Sequence, residues 1–309
     1  MMNPKISILM GAYKEEDVIG KTLEHLTKEI KYPNLEILVA IDTYEDKTLE
    51  IVKSFAKKNK IIRIDFSPTR RGLQNALNSL LKKSKGDIIV KCDAEFNYMN
   101  PSKCFYNLVK YYQDPKVGGV VFKSDFPEKI KQQYRKSLPA WGENLISLIV
   151  NDWRKDNIKV IDKNFHLFAN LDSFKKSVVS QLDPKIINDE VDVLYAIISK
   201  GYIVVYAKDI VKYGFSPVPN FKALYMQKRR SAFGLFRVAN KRKINLPKYY
   251  FSIFIFFLKN IRKYDSIDLA ALFCLIPIFI VANIDAYIKN LTNFSGNIWV
   301  RYKRISDKK

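Results

Sequence analysis

The sequence has few of the residues that crosslink a chain or bind zinc. Its 309 residues include three cysteines, Cys92, Cys104 and Cys274, and two histidines. An odd number of cysteines without a C-x-x-C pair argues against a disulfide framework and against a zinc site, and it favours a reducing compartment. Two histidines are also too few for a His-rich metal centre.

A long apolar segment is missing near the N-terminus. The first apolar run, residues 6–10, is shorter than the apolar region of a signal peptide and ends at Gly11. We therefore expect this run to be the first strand of a domain, and we expect that domain to stay in the cytoplasm.

Acidic residues are scarce relative to basic ones. The chain has 31 Asp and Glu against 53 Lys and Arg, which gives a net charge of +22. This surplus predicts an anionic partner, which could be a nucleic acid, an anionic membrane face or a phosphorylated substrate. Hydrophobic residues make up 48% of the chain, enough for a full core, and this excludes global disorder.

Apolar runs and helical spacing alternate through the first ninety residues. Apolar runs typical of buried strands occupy 6–10, 35–41, 61–64 and 87–91, and helical spacing fills 15–30, 48–59 and 73–83. This alternation predicts βαβ units, and hence an α/β fold with a mostly parallel sheet. Further strands are predicted at 117–122, 165–169 and 202–207, and further helices at 101–112, 172–179 and 190–199, with 126–160 mostly helical.

Polar residues follow each of the first four predicted strands. In an α/β sheet, ligands bind beyond the carboxyl ends of the strands, so these residues should meet at one edge. They are Tyr13, Lys14, Glu15, Asp42, Arg70, Arg71, Asp93 and Glu95.

Asp93 and Glu95 form an acid-x-acid triplet directly after a buried strand. If the backbone bends there, both carboxylates can face one ion. Carboxylate oxygens suit hard cations such as Mg²⁺ or Mn²⁺, which also bridge the oxygens of a diphosphate. The alternative is a solvated acidic loop that binds nothing.

The residues around these strand ends resemble the motifs of a known family, the family 2 glycosyltransferases, which have the GT-A fold. Residues 10–16 resemble that family's first strand-to-helix turn, P-x-Y-N-E-E, with Gly11 in place of Pro and Lys14 in place of Asn. Residues 41–48 resemble the segment D-D-G-S-T-D-x-T, except that Ile41 replaces the first Asp.

Two more segments continue the resemblance in the same order. Residues 71–78 match x-G-x-x-x-A-L-N, and residues 86–95 match G-D-I-I-x followed by a D-x-D motif with Glu95 at its last position. Each piece is short, but four in the correct order point to the family and to its GT-A fold.

The resemblance implies a nucleotide-sugar donor and a divalent metal, Mg²⁺ or Mn²⁺. The family's residues that match Asp42 and Arg71 hold the nucleotide base. The match to Asp93 lies near the ribose and the metal, and the match to Glu95 is the chief metal ligand. The residues of the first turn that would contact the donor are Ala12, Tyr13 and Glu15.

An acidic pair further along the chain resembles the family's catalytic position. In the pair Asp189-Glu190, Glu190 stands eleven residues before Gly201-Tyr202, as an E-D pair stands before G-Y in the family. By position Glu190 is the expected base, and Asp189 is the close rival. An acceptor hydroxyl needs a carboxylate that takes its proton. The alternative is the charged first turn of a helix, where acids favour the positive dipole end.

Residues 227–231 resemble the Q-x-x-R-W motif of membrane-bound members, with Ser231 in place of Trp. The resemblance places Gln227 and Arg230 in the donor site, where the guanidinium could pair with the diphosphate. The missing Trp weakens the case for a polymerising role. A basic, membrane-facing helix is the alternative.

The composition changes near residue 222. Residues 222–263 carry many Lys and Arg but neither Asp nor Glu, and apolar runs occupy 249–258 and 267–284. We expect 221–309 to be a helical membrane-associating region that lies on the cytoplasmic face, with one true span or a buried soluble hairpin as alternatives. The catalytic domain would then be 1–220, divided into a nucleotide-sugar half (1–122) and an acceptor half (123–220).

These observations predict an inverting glycosyltransferase with a nucleotide-sugar donor and a hydroxyl or phosphate acceptor, which membrane placement suggests is lipid-linked or a glycan. Three alternatives stay open: a nucleotidyltransferase, which usually begins with a Gly-rich phosphate loop absent here; a basic nucleic-acid-binding protein; and a degenerate transferase kept as a scaffold. The nucleic-acid reading leaves the acidic triplet unexplained, so no nucleic-acid partner is expected.

Overall fold

The computed structural model of the chain describes residues 3–42, 45–157, 160–161, 171–184, 189–214, 218 and 220–292, with backbone only at 155–157, 189 and 249. The strand predicted at 165–169 lies outside these residues.

The first half of the fold is a parallel sheet with a helix after each of its first three strands. The order of these strands is β3-β2-β1-β4, and every pair among them is parallel. The strands are β1 (Ile6–Ala12), β2 (Leu35–Asp42), β3 (Ile62–Ser67) and β4 (Ile88–Lys91), and the helices are α1 (Ile19–Lys28), α2 (Thr48–Lys58) and α3 (Leu73–Lys83). The predicted α/β class is confirmed.

The second half extends this sheet with mixed pairing, in the order β4-β8-β6-β9-β5, with β7 paired to β9. Only β6 and β9 pair in parallel here. The strands are β5 (Phe96–Met99), β6 (Val117–Ser124), β7 (Val160–Ile161), β8 (Ser173–Lys175) and β9 (Ile203–Gly214), and the helices are α4 (Pro101–Tyr111), α5 (Glu128–Arg135), α6 (Leu138–Asn157) and α7 (Asp189–Ser199).

The helix predicted at 172–179 is wrong. That segment begins with strand β8 and continues into a turn. Ser173 pairs with Val90 of β4 on one side and with Val120 of β6 on the other. A strand is required there because β4 and β6 are not neighbours, and only extended backbone can satisfy the hydrogen-bonding groups of both.

Residues on the two faces of the sheet enter two different cores. In β4, Ile88 and Val90 join the cluster packed under α1 and α4, whereas Ile89 joins the cluster under α3 and α7. Successive side chains of a strand point to opposite faces. Lys91 therefore lies on the Ile89 face, toward α7.

Three long helices complete the described chain: α8 (Phe221–Arg242), α9 (Leu246–Asn260) and α10 (Ser266–Leu291). A capping box begins α10, in which Asp265 accepts from the Asp268 N–H at 2.8 Å and the Asp268 side chain accepts from the Asp265 N–H. Pro277 lies inside α10 without ending it. Within the described residues, α10 is the one helix long and apolar enough to cross a membrane, which by itself is weak evidence for a span.

One side of α10 is packed against the rest of the fold. Asp268 accepts a hydrogen bond from Trp141 Nε1 of α6 at 2.9 Å, and Leu275 is buried beside Gly142. Further along, Asp285 pairs with Arg229 of α8 at 3.2 Å. The opposite side of α10 is apolar and exposed, as at Phe273, Ile280, Ile284 and Leu291. A fully buried hairpin therefore does not describe this helix.

Candidate functional site

The turn after β1 carries the first group of predicted donor contacts. Ala12 is buried at the end of β1, and the next residue, Tyr13, has the Arg70 guanidinium 4.4 Å from its ring centroid. Lys14 has a φ of 57°, and its ammonium pairs with Glu45. The turn thus presents an aromatic ring, already stacked on a cation, at the carboxyl edge of the sheet.

Glu15 ties this turn to the start of α2. Its backbone N–H donates to Thr48 Oγ1 at 2.7 Å, and its carbonyl accepts from the N–H groups of Val18 and Ile19 to begin α1. Thr48 Oγ1 in turn donates to Asp46 at 2.8 Å. The helix predicted from residue 15 begins at Ile19 because the backbone of Glu15 makes these turn contacts.

Asp42 ends β2 and binds the loop after β3. Its Oδ2 accepts from the backbone N–H groups of Arg71 at 2.8 Å and Gly72 at 3.2 Å, and its Oδ1 accepts from Arg71 Nε at 2.9 Å. Gly72 has a φ of +83°, a conformation that suits glycine. The structure therefore joins the two predicted base-binding residues directly.

A second carboxylate holds the far side of the same guanidinium. Arg71 Nη1 donates to Asp65 at 2.9 Å, and Lys83 Nζ donates to the other oxygen of Asp65 at 2.5 Å. Burial lowers the pKa of Arg71, but the hydrogen bonds to Asp42 and Asp65 outweigh it and raise that pKa. Sequence analysis missed Asp65 because it lies within β3 rather than after it.

Asp93 and Glu95 sit in a tight turn between β4 and β5. The N–H of Phe96 donates to the Asp93 carbonyl at 3.2 Å, and Thr22 of α1 donates to the Ala94 carbonyl at 2.7 Å. Asp93 is exposed and Glu95 is half-buried. The bend on which the metal prediction depended is present, and α1 holds it in place.

These two carboxylates fit one kind of metal site. Among the described residues no three His, Cys, Asp or Glu side chains come together as a ready-made metal cage. Mg²⁺ in nucleotide sites usually needs only one or two carboxylates, because substrate phosphates complete its coordination. The pair Asp93 and Glu95 therefore suits a cation that arrives with a diphosphate.

The residues predicted to bind the base and the acidic pair Asp93 and Glu95 share one edge of the sheet. Asp42 ends β2 and Asp93 follows β4, and both strands run parallel to β1 between them. Two strand spacings separate them by about 10 Å. This is the carboxyl edge, where α/β sheets bind ligands.

Glu190 lies beside the end of β4. Its Oε1 is 3.5 Å from the Nζ of Lys91, and the two side chains are 23% and 11% exposed. Lys91 is the last residue of β4, two positions before Asp93. The predicted base and the predicted metal turn are therefore neighbours. The side chain of Asp189 lies outside the described residues.

A further ion pair near Glu190, between Lys212 and Asp172, was not predicted from the sequence. Lys212 of β9 contacts the carboxylate of Asp172, whose other oxygen accepts from the N–H of Phe122 at 2.7 Å. Burial lowers the pKa of this lysine, but Asp172, Glu190 and Asp93 outweigh burial and raise it above its ordinary value. The sequence did not reveal this pair, because Lys212 lies beyond the strand predicted at 202–207 and Asp172 lies in the segment predicted as a helix.

Gln227 and Arg230 lie on α8, which packs against α6, α7 and α10. Both side chains are half-buried. Their neighbours on the helix are in structural ion pairs: Lys228 with Glu143 at 2.9 Å and Arg229 with Asp285. A role for Gln227 and Arg230 at the donor stays a prediction.

One family accounts for both the motifs and this geometry. A model of glycosyl transferase family 2 matches residues 7–174, more than half of the chain. The chain belongs to glycosyl transferase family 2. Membership confirms the resemblance and makes the chain an enzyme of the glycosyltransferase class, which decides against a nucleotidyltransferase.

Two bacterial relatives of this family 2 member cover only part of it. The probable glycosyltransferase YdaM of Bacillus subtilis is 35% identical over 125 residues, 39% of this chain and 29% of that protein. The poly-beta-1,6-N-acetyl-D-glucosamine synthase of Staphylococcus aureus is 30% identical over 115 residues, 37% of this chain and 27% of that protein. The matches thus span less than a third of each relative's length.

A solved structure resembles nearly the whole family 2 chain. The mannosyltransferase PcManGT from Pyrobaculum calidifontis, in complex with GDP-Man and Mn²⁺, has a TM-score of 0.66 and covers 96% of this chain and 89% of that one. The sequences are 18% identical, so the likeness shows the fold alone. It confirms the GT-A architecture.

Proposed function

We propose that the chain transfers a sugar from a nucleotide-diphosphate sugar to an acceptor in a single displacement with inversion. The observation that carries the proposal is the position of Glu190, which lies 3.5 Å from the last residue of β4, beside the turn that holds Asp93 and Glu95. A proton acceptor and a metal turn at one strand end are the two parts that this chemistry needs.

The donor would bind along the carboxyl edge from β3 to β4. Asp42 and Arg71 would meet the base, because their side chains already form one rigid unit. Tyr13 would offer its ring to the base or ribose, and Ala12 and Glu15 would shape the turn beneath it. UDP and GDP both remain candidates for the nucleotide.

Asp93 and Glu95 would hold Mg²⁺ or Mn²⁺ together with the donor diphosphate. When bound, the cation supplies positive charge that stabilises the negative charge developing on the leaving diphosphate. PcManGT was solved with Mn²⁺ and a nucleotide sugar, which supports a divalent cation on the same fold. Arg230, if α8 approaches the donor, would add a further cation to the diphosphate.

Glu190 would take the proton of an acceptor hydroxyl as that oxygen attacks the anomeric carbon. A carboxylate within hydrogen-bond reach contributes about 10²–10⁴-fold to such a step. Attack from the face opposite the leaving diphosphate inverts the configuration. Asp189, one residue earlier, is the alternative base. A phosphate acceptor is already an anion and would not need the base.

Nucleotide and metal binding can be tested without knowing the acceptor. Thermal unfolding would be followed with UDP, GDP, ADP and CDP, each with and without Mn²⁺, for wild type and for Glu95→Ala. We expect one nucleotide to raise the melting temperature only with Mn²⁺, and we expect Glu95→Ala to lose that shift. No metal-dependent shift with any nucleotide would overturn the donor assignment.

The base is tested separately from the donor site. Glu190→Gln should lower the release of nucleoside diphosphate from the nucleotide sugar by about 10²–10⁴-fold while it keeps the metal-dependent thermal shift. Wild-type rates in Glu190→Gln would move the base to Asp189 or elsewhere.

We further propose that α9 and α10 lie on the surface of a membrane. Exposed apolar residues line both helices: Tyr250, Phe251, Phe254, Leu258, Phe273, Ile276, Ile280, Val281, Ile284 and Leu291. Exposed cations stand close to them in sequence at Lys248, Lys259, Arg262 and Lys263. Each contributes about 1 kcal/mol near an anionic surface.

An orientation in the plane of the membrane fits better than a span. Helix α8 packs alongside α10, since the Lys228 ammonium lies over the Phe279 ring and Phe236 meets Tyr287 edge to face with ring centroids 5.8 Å apart. A spanning α10 would draw the basic helix α8 into the bilayer, at about 2.5–3.5 kcal/mol for each charge at its centre.

Vesicle binding tests this surface and its orientation. We expect the purified chain to sediment with anionic vesicles and to be released by alkaline carbonate, which a true span would resist. Phe273→Ser with Ile280→Ser should weaken binding, whereas Ile61→Ser, an exposed isoleucine before β3, should not. A chain that ignores vesicles of any composition would overturn the proposal.

A membrane position suggests a lipid-linked acceptor, or a glycan presented at the cytoplasmic face. The division into a catalytic domain (1–220) and a membrane-associating region (221–309) is part of the same proposal.

A further inference from the structure

Two lysines enter the acidic edge of the sheet from different strands. Lys91 ends β4 on the face that packs toward α7, and its ammonium meets Glu190 at 3.5 Å. Lys212 comes from β9, where its register partners are Tyr98 of β5 and Ser124 of β6. Asp172, Glu190 and Asp93 all lie near enough to Lys212 to raise the pKa of its ammonium.

Asp172 connects both lysines to the rigid sheet. Its side chain pairs with Lys212 and accepts from the Phe122 N–H, and its carbonyl accepts from the Lys91 N–H at 2.9 Å. Asp172 is 2% exposed. Side-chain and backbone bonds from β4, β6 and β9 therefore meet at one buried residue, which fixes the backbone of Lys91 at the end of β4.

Glu190, by contrast, stands at a helix end as the second residue of α7, and its side chain is 23% exposed. A free glutamate loses about 1.5–2 kcal/mol of rotamer entropy when held in one conformation. Its carboxylate could also turn back to the helix N-terminus, which attracts acids.

We propose that Lys91 is a positioning residue that holds the Glu190 carboxylate over the end of β4, with the Lys212–Asp172 pair as its fixed support. The proposal rests on the proposed function, since it assumes that Glu190 is the base. A base must come within about 2.6–3.2 Å of the proton it takes, so an error of about 1 Å in its position can cost 10²-fold in rate.

A double-mutant cycle tests the role. Lys91→Met, Lys91→Arg, Glu190→Gln and the double variant Lys91→Met with Glu190→Gln would be compared in the hydrolysis of UDP-GlcNAc and GDP-Man with Mn²⁺. We expect Lys91→Met to lower kcat by about ten- to a hundredfold, and we expect Lys91→Arg to recover most of it. KM and the Kd for UDP or GDP with Mn²⁺ should stay within about threefold of wild type, because the effect acts through Glu190.

The double variant separates positioning from a direct contact with the donor. In the Glu190→Gln background, Lys91→Met should have no further effect, since the group it holds is already lost. Additive losses, or a large rise in the nucleotide Kd with kcat unchanged, would overturn the proposal and place Lys91 on the diphosphate. If wild type itself neither binds nor hydrolyses nucleotide sugars, the proposed function fails first.

The supporting role of the Lys212–Asp172 pair is tested by comparing two lysines of β9. Lys212→Met should lower kcat in the same way as Lys91→Met, whereas Lys208→Met, an exposed lysine on the same strand, should not. Because Lys212→Met leaves Asp172 buried without its partner, the paired change Lys212→Met with Asp172→Asn is the safer variant for folding. Wild-type kcat in that folded variant would remove Lys212 from the proposal.

Discussion

Arg71 donates two hydrogen bonds to the Asp42 carboxylate, one from its side-chain Nε at 2.9 Å and one from its backbone N–H at 2.8 Å. Lysine would keep the backbone bond but could not reproduce the bond from Nε, because its ammonium is a single point of charge and lacks the planar set of N–H donors of a guanidinium. Asp42 is buried, so the geometry of the pair is also set before any nucleotide arrives.

Arg71→Lys should therefore weaken nucleotide binding more than it weakens the fold. Loss of a charge-assisted hydrogen bond costs about 1.5–3 kcal/mol, or about tenfold or more in Kd. Isothermal titration with the nucleotide that gives the largest thermal shift would measure it. Arg63→Lys, which affects an ion pair with Glu36 near the start of β3, is the control and should leave Kd unchanged. Equal Kd values in both variants would contradict the role of Arg71.

Gly72 and Gly201 form a matched pair for a backbone test. Both have positive φ, +83° and +84°, and an added Cβ at either would meet nothing within 4 Å. Alanine at each should thus cost about 1–3 kcal/mol through backbone strain alone. Denaturant unfolding should show similar losses for the two variants.

Only Gly72→Ala should also weaken nucleotide binding, because the Gly72 N–H helps to hold Asp42. Gly201 ends the turn between α7 and β9, away from that carboxylate. If Gly201→Ala lowered affinity as much as Gly72→Ala, the effect would reflect stability rather than the base site.

Gly142 is a point of close approach between α6 and α10. A Cβ there would lie 2.8 Å from the Ala271 carbonyl and 2.7 Å from Leu275 Cδ1. Gly142→Ala should cost about 1–3 kcal/mol by overpacking, although alanine normally favours a helix. Hydrogen exchange should show faster opening in α10.

The contrast is Gly20→Ala in α1. Its Cβ would meet Ile51 at an ordinary 3.6 Å, so the change should be neutral or stabilise the fold by up to about 1 kcal/mol. A Gly142→Ala protein as stable as Gly20→Ala would mean that α10 sits more loosely on α6 than the structure indicates.

Asp65 makes part of the stability depend on pH. Burial raises the pKa of this carboxyl, but hydrogen bonds from Lys83, Ser79 and Arg71 outweigh burial and lower it below the ordinary value of about 3.9. Because the folded pKa lies below the unfolded one, the stabilisation is present above the unfolded pKa and is lost as pH falls through the folded pKa.

Wild type should therefore exceed Asp65→Asn in unfolding free energy at pH 7, and the gap should close below about pH 4. Urea unfolding at pH 7, 5 and 3.5 measures it. Lys83→Met should remove part of the same dependence, since its ammonium donates to Asp65. A gap that widened with acid would show that the sign is wrong.

Much of the first half of the fold could be predicted from the sequence because its signals are local. Apolar runs and helical spacing gave four strands and three helices to within a few residues, and the bend at Asp93 and Glu95 is where the strand-end motif predicted it. The turn that carries Asp93 and Glu95 is closed locally by the bond from the Phe96 N–H to the Asp93 carbonyl, and the Thr22 hydroxyl holds Ala94.

The second half depended on partners that lie far away in the chain. Residues 173–175 form a strand because they fill the gap between β4 and β6. The pattern of their own side chains does not predict a strand there. β5 was missed for a similar reason: its four residues gain their place by pairing with β9.

By itself, the sequence determined the α/β class, the strand-end polar residues and the family, because short-range patterns encode each of them. Only the tertiary structure decided which charges meet. Lys91 meets Glu190, and Lys212 meets Asp172, only because the order of strands brings β4, β8, β6 and β9 side by side. Coulomb attraction acts through space, and the distance between two charges is set by the packed sheet, not by their separation along the chain.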